Sequence, residues 1–502
     1  MDLFDGLVLG LGVAVSPMSL MLCLLGVTLG TLVGVLPGLG PAATIAMLLP
    51  VTLTLDPIYA LIMLAGIYYG AQYGGSITAI LVNLPGEPSS AVTAIDGYQM
   101  ARQGRAGVAL SIAAIGSFIA GTLATLVIAV ASPALSQIAL RFGPPEFFSL
   151  TLLGIIMVVV LAQGSALKGL GMAVIGLMLG LVGTDVFTAE TRFIYGINEF
   201  RSGIDFVAVT IGVFGLSEIM RNLEGNEAET RRSHAIASLL PSREDFKRSI
   251  GPILRGTALG SLLGVLPGGG AFLSSFASYA VEKKLSKHPE EFGKGAIEGV
   301  AGPESANNAG AQASFIPMLT LGIPSNAVMA LMIGAMIVQG IQPGPRVLLT
   351  QPELFWGLIA SMWIGNVMLV VLNLPLVGLW VRLLKIPYAV LFPGILAFCC
   401  IGTFSTNGLE IELYVLAIAG LAGYLFVRIG CSPAPFLLGF VLGPMVETYF
   451  RRAMLISQGD ASVFFTRPIS AALMLLALGL AATIFVPALL TWRERVFADA
   501  EE

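Results

Sequence analysis

The chain has 502 residues, 56% of them hydrophobic and only 11% charged, with a mean hydropathy of +0.89. Ordinary soluble domains carry about 25% charged residues, so a surface solvated by water throughout is excluded and lipid must be the solvent for much of the chain. The 26 Lys and Arg against 30 Asp and Glu leave a formal charge of -4, which speaks against a nucleic-acid partner.

In chain order, the start Met1-Asp2-Leu3-Phe4-Asp5 lacks a basic region ahead of the apolar run and a small-residue cleavage site behind it, and reads as a retained first membrane segment. A spanning helix needs roughly 20 apolar residues. Uninterrupted candidates are 107–132, 146–163, 169–184, 205–220, 354–380, 388–404, 411–427 and 470–491. Four other apolar stretches, 17–55, 58–92, 251–281 and 302–340, are cut by Gly and Pro. Together they predict an all-α polytopic membrane protein of roughly 10–12 membrane segments.

Two stretches are basic. Residues 221–255 hold Arg221, Arg231, Arg232, Arg243, Lys247, Arg248 and Arg255, and 282–294 hold Lys283, Lys284, Lys287 and Lys294. Both are expected in the cytoplasm. The 29 residues from Ile253 to Val281 lie between them, broken by Pro267-Gly268-Gly269-Gly270. Two spans would need about 40 residues, and one span would part its basic flanks. A re-entrant hairpin with its tip near mid-membrane meets both constraints.

The chain repeats. GTLVGVLPGLG at 30–40 aligns with GSLLGVLPGGG at 260–270 with eight of eleven positions identical, and GEPSSAV at 86–92 aligns with GIPSNAV at 322–328. The loop at 52–57 lacks Lys and Arg where its partner at 282–294 is basic. Conversely, the loop with Arg102 and Arg105 is more basic than 340–353, which holds only Arg346. The basic member switches halves, as inverted-topology repeats require. The expected organisation is a first inverted repeat at 1–220, a cytoplasmic basic linker at 221–255, and a second repeat with C-terminal helices at 256–502.

Broken helices at matching positions point to a substrate site between the repeats. Free N–H groups of a half-helix attract anions, and free carbonyls attract cations. The expected breaks are 34–41, 83–90, 264–270 and 321–326, with a fifth at GPESANNAG, 302–310, whose rough counterpart is YYGAQYGGS, 68–76. A single break would more simply be a packing kink; paired breaks favour a site. The expected substrate-binding residues are Gly38, Gly40, Ser89, Ser90, Gly268, Gly270, Asn307, Asn308, Ser325 and Asn326, with Gln72 a further polar candidate. The expected cation-binding residues are Pro37, Ser76, Asn83, Pro267, Glu304 and Gln312. Any one Ser or Asn is more often an interhelical hydrogen-bonding group. Glu304 and Glu87 are rarer in such surroundings; Glu304 is the stronger candidate, since Glu87 fits the cytoplasmic surface too. No Lys or Arg occurs in the five segments. An anion there would need helix N-termini, hydroxyl and amide donors, and a co-bound cation, Na⁺ favoured over H⁺.

Cys23, Cys399, Cys400 and Cys431 form no CxxC pair, and His234 and His288 lie in charged loops, so neither a disulfide framework nor a zinc or haem site is indicated. An intramembrane enzyme would need a nucleophile–base pair or paired aspartates, whereas Asp56, Asp96 and Asp185 lie near segment ends. An ion channel would share the broken helices without needing partner subunits. Glu447, Arg451 and Arg452 read as an ion pair at a helix end.

GVLPGLGP at 34–41, YGAQYGGSITAILVNLPGEPSS at 69–90, GVLPGGG at 264–270 and GPESANNA at 302–309 together resemble the large membrane subunit, TctA, of the tripartite tricarboxylate transporters. The likeness covers about 17–450. It implies a secondary transporter, not an enzyme, in a bacterial inner membrane. It also implies a small four-helix membrane subunit, a periplasmic solute-binding protein, citrate or another carboxylate as substrate, and symport with an ion rather than a cofactor.

Overall fold

The computed structural model describes residues 3–36, 40–161, 165–224, 239–266, 270–383 and 388–485. The chain is almost wholly α-helical. Its one sheet among the described residues is a two-residue antiparallel pair, Gly183–Thr184 with Thr191–Arg192. Among the described residues, five helices are long and apolar enough to cross a membrane: Pro17–Val35, Ala106–Ala139, Phe206–Glu224, Pro352–Asn373 and Glu410–Arg428. Proline punctuates the starts. Pro17, Pro41, Pro57, Pro352 and Pro433 all occupy the first turn of a helix, where the missing N–H has no intrahelical partner to lose.

Both Gly-rich segments are flanked by helices, and the turns between them lie outside the described residues. Pro17–Val35 is followed by Pro41–Thr52, and Arg243–Leu263 by Gly270–Leu285. The basic stretch 221–255 is helical at both ends, because Ser217–Glu224 and Arg243–Leu263 run into it. The latter starts on a capping box in which Ser242 and Asp245 satisfy each other's backbone N–H.

The chain is not broken at 302–310. Glu298–Ala313 continues through Pro303, and 68–76 lies inside the unbroken helix Pro57–Val82. Packing supplies the reason. Gly26, Gly30 and Gly34 press on the carbonyl oxygens of Met63, Ile67 and Ala71; a Cβ on any of the three would sit 2.3–2.4 Å from those oxygens. Gly256, Gly260 and Gly264 press in the same way on Gly302, Ala306 and Gly310. The polar Gly/Ala-rich segments are therefore rails for close helix approach, which small residues permit. This register pairs 302–310 with 63–71, five residues earlier than the counterpart expected from sequence. The true breaks come after the rails. Asn83 ends Pro57–Val82 with φ 58°, and Gly322 ends Phe315–Leu321, the short helix after Glu298–Ala313, with φ 70°.

Candidate functional site

The return helices of both hairpins begin at one cavity of about 740 Å³. Gly40 and Pro41 from the first hairpin, Gly270 and Ala271 from the second, and Asn326 and Ala327 after the second break all line it. Each pair opens a helix of 12 to 16 residues. Three positive dipole ends thus converge on one space, which favours an anion. Gly270 holds φ 42°, and an added Cβ would come 3.4 Å from the Asn326 amide nitrogen. Asn326 caps its helix by accepting from the Met329 N–H at 2.9 Å, and its amide donates to Tyr68 Oη at 3.1 Å.

The first half supplies Tyr68, Gln72, Glu87 and Ser89 to the same wall. Ser89 Oγ donates to Glu87 at 2.5 Å and lies 3.2 Å from Gln72 Oε1. Ser275 of the second hairpin donates to the Ser89 carbonyl at 2.9 Å, so the hairpin grips the first break directly.

One cation lines this cavity among the described residues. Arg221 reaches it from the helix Ser217–Glu224, together with Ser217 and Glu218. That helix comes after a π-helical turn at Ile211–Leu216, which also contributes Val213 and Phe214; such wide turns shift the register of the helix beyond them. Arg221 pairs with Glu218 at 3.2 Å and its side chain stays 47% exposed. The break segments themselves lack Lys and Arg, but the fold brings an arginine from another helix. Its one sequence signal, membership of the basic stretch, points instead to a solvent-facing linker.

Glu304 forms a second centre. It is fully buried, accepts from Ser76 Oγ at 2.5 Å, and accepts from Thr93 Oγ1 as well. Ser76 and Glu304 are both expected cation ligands; Thr93 carries no sequence signal. Asn307 is fully buried, and neither its amide oxygen nor its nitrogen makes a hydrogen bond of full geometry among the described residues, nor does Gln312 Oε1. Buried amides in that state are suited to a ligand.

The remaining expected residues fall elsewhere. Asn308 is engaged with Ser117 at 2.7 Å and with the Glu304 carbonyl at 3.1 Å. Ser90 closes its own turn on the Glu87 carbonyl at 2.9 Å, and Ser325 points at the Ser314 carbonyl at 3.4 Å. Asn83 is an exposed helix cap in the left-handed region, away from Glu304 and its hydroxyl partners. Pro37, Gly38, Pro267 and Gly268 lie outside the described residues. Glu87 is buried, 7% exposed, rather than at a surface. Asp96, near a segment end, ties the halves together by accepting from the N–H groups of Gly295 and Ala296 and from Tyr279 Oη, at 2.8–2.9 Å. Glu447 and Arg451 do pair, at 2.7 Å, within a larger network with Asp185 and Arg192.

The family model of the tripartite tricarboxylate transporter TctA family matches residues 20–438. The chain belongs to that family. TctA proteins are transporter subunits, so the cavity between the hairpins belongs to a membrane protein whose work is transport within a multi-subunit system. Among relatives, the "Uncharacterized 52.8 kDa protein in TAR-I ttuC' 3'region" of Agrobacterium vitis is 59% identical over 501 residues, covering 100% of both chains. The "Uncharacterized protein in TAR-II ttuC' 3'region" of the same organism is 61% identical over 240 residues, covering 48% of this chain and 99% of its own. No solved structure matches the chain.

Proposed function

We propose that this TctA protein imports tricarboxylates or related small carboxylates across the bacterial inner membrane, by symport with Na⁺. The observation that carries the reading is the convergence of three helix N-termini and Arg221 on one cavity between hairpins of the two halves. That arrangement suits a multiply charged anion, and the buried Glu87 and Glu304 suit a compensating cation. Citrate is the natural first substrate to try. The halves 1–220 and 256–502 run in opposite directions on this reading, joined by a cytoplasmic stretch at 221–255. On the same reading the mouth of the cavity, where Arg221 sits, is cytoplasmic, an inward-facing form. A small four-helix membrane subunit and a periplasmic solute-binding protein complete the system and deliver the substrate from outside.

Proton coupling is the second reading, and one observation favours it. Ser76 has one hydroxyl hydrogen yet lies 3.0 Å from the Gln72 carbonyl and 2.5 Å from Glu304. A protonated Glu304 donating to Ser76 would let Ser76 donate onward to Gln72.

Uptake of radiolabelled citrate into proteoliposomes, with and without the partner subunits, tests the whole proposal. Na⁺ symport predicts that uptake collapses when choline replaces Na⁺ at fixed pH and partly survives Glu304→Gln. Uptake that ignores Na⁺, tracks an imposed pH gradient and is lost in Glu304→Gln would replace Na⁺ by H⁺. Absence of uptake under every gradient, with all partners present, would refute carboxylate import itself.

A further inference from the structure

Glu304 borders a small cavity of about 10 Å³, lined also by Tyr73, Ser76, Ser117 and Asn373 and otherwise by aliphatic side chains. That volume suits one water-sized occupant. No Lys, Arg or His lines it among the described residues. Its polar walls come from four helices: Pro57–Val82, Ala106–Ala139, Glu298–Ala313 and Pro352–Asn373.

The hydrogen-bond directions around this space are uneven. Tyr73 Oη donates away, to Asn366 Oδ1 at 2.8 Å. The Asn373 amide nitrogen donates away, to the Leu369 carbonyl at 2.8 Å. Ser117 Oγ accepts from the Asn308 amide at 2.7 Å, which leaves it a further lone pair. Asn373 Oδ1 has no partner among the described residues although the residue is 4% exposed. The Tyr73 hydroxyl and one Asn373 N–H are thus spent outside the cavity, and oxygen lone pairs remain on Ser117 and Asn373 beside Glu304. Hard monovalent cations prefer such a set, and a carboxylate buried without a basic partner needs a positive charge beside it.

We propose that Na⁺ binds in this cavity, held by Glu304 and Ser76 with Asn373 Oδ1, Ser117 Oγ and Tyr73 Oη as additional oxygen ligands. The proposal gives the coupling cation of the transport reading a specific place, and rests on that reading only for its role in transport. Asn373 and Ser117 sit in uninterrupted spans, far along the chain from any glycine-rich break, so no motif marks them. An ion there clips four helices together, and it stabilises the folded chain in proportion to the logarithm of its concentration above its Kd.

The test is thermal melting of the purified full-length chain in detergent, with NaCl titrated against choline chloride or KCl at constant ionic strength and pH. The melting temperature should rise with the logarithm of Na⁺ concentration above an onset near the Kd and stay flat with choline and K⁺. Asn373→Leu and Ser117→Ala should each raise that onset concentration roughly tenfold or more. Ser117→Thr, which keeps the hydroxyl oxygen in place, should retain the Na⁺ response and so guards against simple misfolding. A wild-type melting temperature indifferent to Na⁺, or equally raised by K⁺, overturns the proposal, as does an unshifted Na⁺ onset in Asn373→Leu. A water-filled cavity would give the flat result. Citrate uptake is scored separately: Na⁺ stabilisation without uptake sinks the transport reading alone, and uptake without Na⁺ stabilisation sinks the ion site alone.

Discussion

Replacing Gly30 or Gly260 by alanine should loosen the rails on which both hairpins ride. The new Cβ would lie 2.3 Å from the Ile67 carbonyl oxygen in one case and 2.4 Å from that of Ala306 in the other, where ordinary contact begins at 3.4 Å. The obstructing atom is backbone, so no side chain can swing aside; the two helices must part by roughly 1 Å. Overpacking of this kind costs about 1–3 kcal/mol, and the tight backbone packing at neighbouring glycines is lost along with it. Gly12 and Gly171 are internal controls. Both lie in helices, and a Cβ at either meets nothing within 4 Å, so alanine there should be neutral or stabilising by up to about 1 kcal/mol. The assay is the melting temperature of the four purified single variants, with citrate uptake measured in parallel. Gly30→Ala and Gly260→Ala should melt below wild type by similar amounts and transport poorly, because the hairpin ends at the cavity move with their helices. If they melt with Gly12→Ala and Gly171→Ala, the close-packing account is wrong for both halves.

Arg221→Gln should raise the KM for citrate several-fold, consistent with loss of a charge-assisted contact worth about 1–3 kcal/mol, while leaving melting nearly unchanged because the side chain is half exposed; an unaltered KM would remove Arg221 from the site. Asn326→Ala deletes a helix cap and should cost about 1 kcal/mol in melting measurements, with impaired uptake because the cap and Tyr68 meet at the cavity wall. The N–H groups of Thr188 and Phe187, with Arg451 and Arg192, hold the Asp185 carboxyl below the usual carboxylate range. Its stabilising contribution is therefore present above pH ~4 and lost as pH falls through the depressed value. Asp185→Asn should accordingly melt below wild type at pH 7, with the gap closing in acid; a gap that persists unchanged would contradict the linkage. For topology, a cysteine at Thr54 should label from outside intact cells and one at Glu244 should not. Glu244 takes no part in the capping box of its helix; the reverse pattern would overturn the inverted arrangement.

Much of the architecture is legible in the sequence because the bilayer leaves few options. A chain this apolar must close its backbone hydrogen bonds within helices, and the breaks expected within 34–41, 83–90, 264–270 and 321–326 rest on Pro and Gly, which continue a helix poorly. The internal repeat is legible from identity alone. The 302–310 segment misleads for a definable reason. Gly, Pro and Asn are the residues of a broken helix, but Gly and Ala are equally the residues of a helix pressed against another backbone, and composition does not separate the two.

Sequence by itself determined the solvent and the helical class, because apolar runs and helix formation are local properties of the chain. Only the tertiary structure decided which polar groups share a space. Glu304 finds Ser76 and Thr93 more than 200 residues away in sequence, Arg221 arrives at the cavity after a π-helical turn, and Asn373 brings an unpartnered oxygen to the cavity beside Glu304 from a helix with no motif. Side-chain proximity across helices depends on rotation and register, which close packing sets to within a residue and which no run of letters along one helix records.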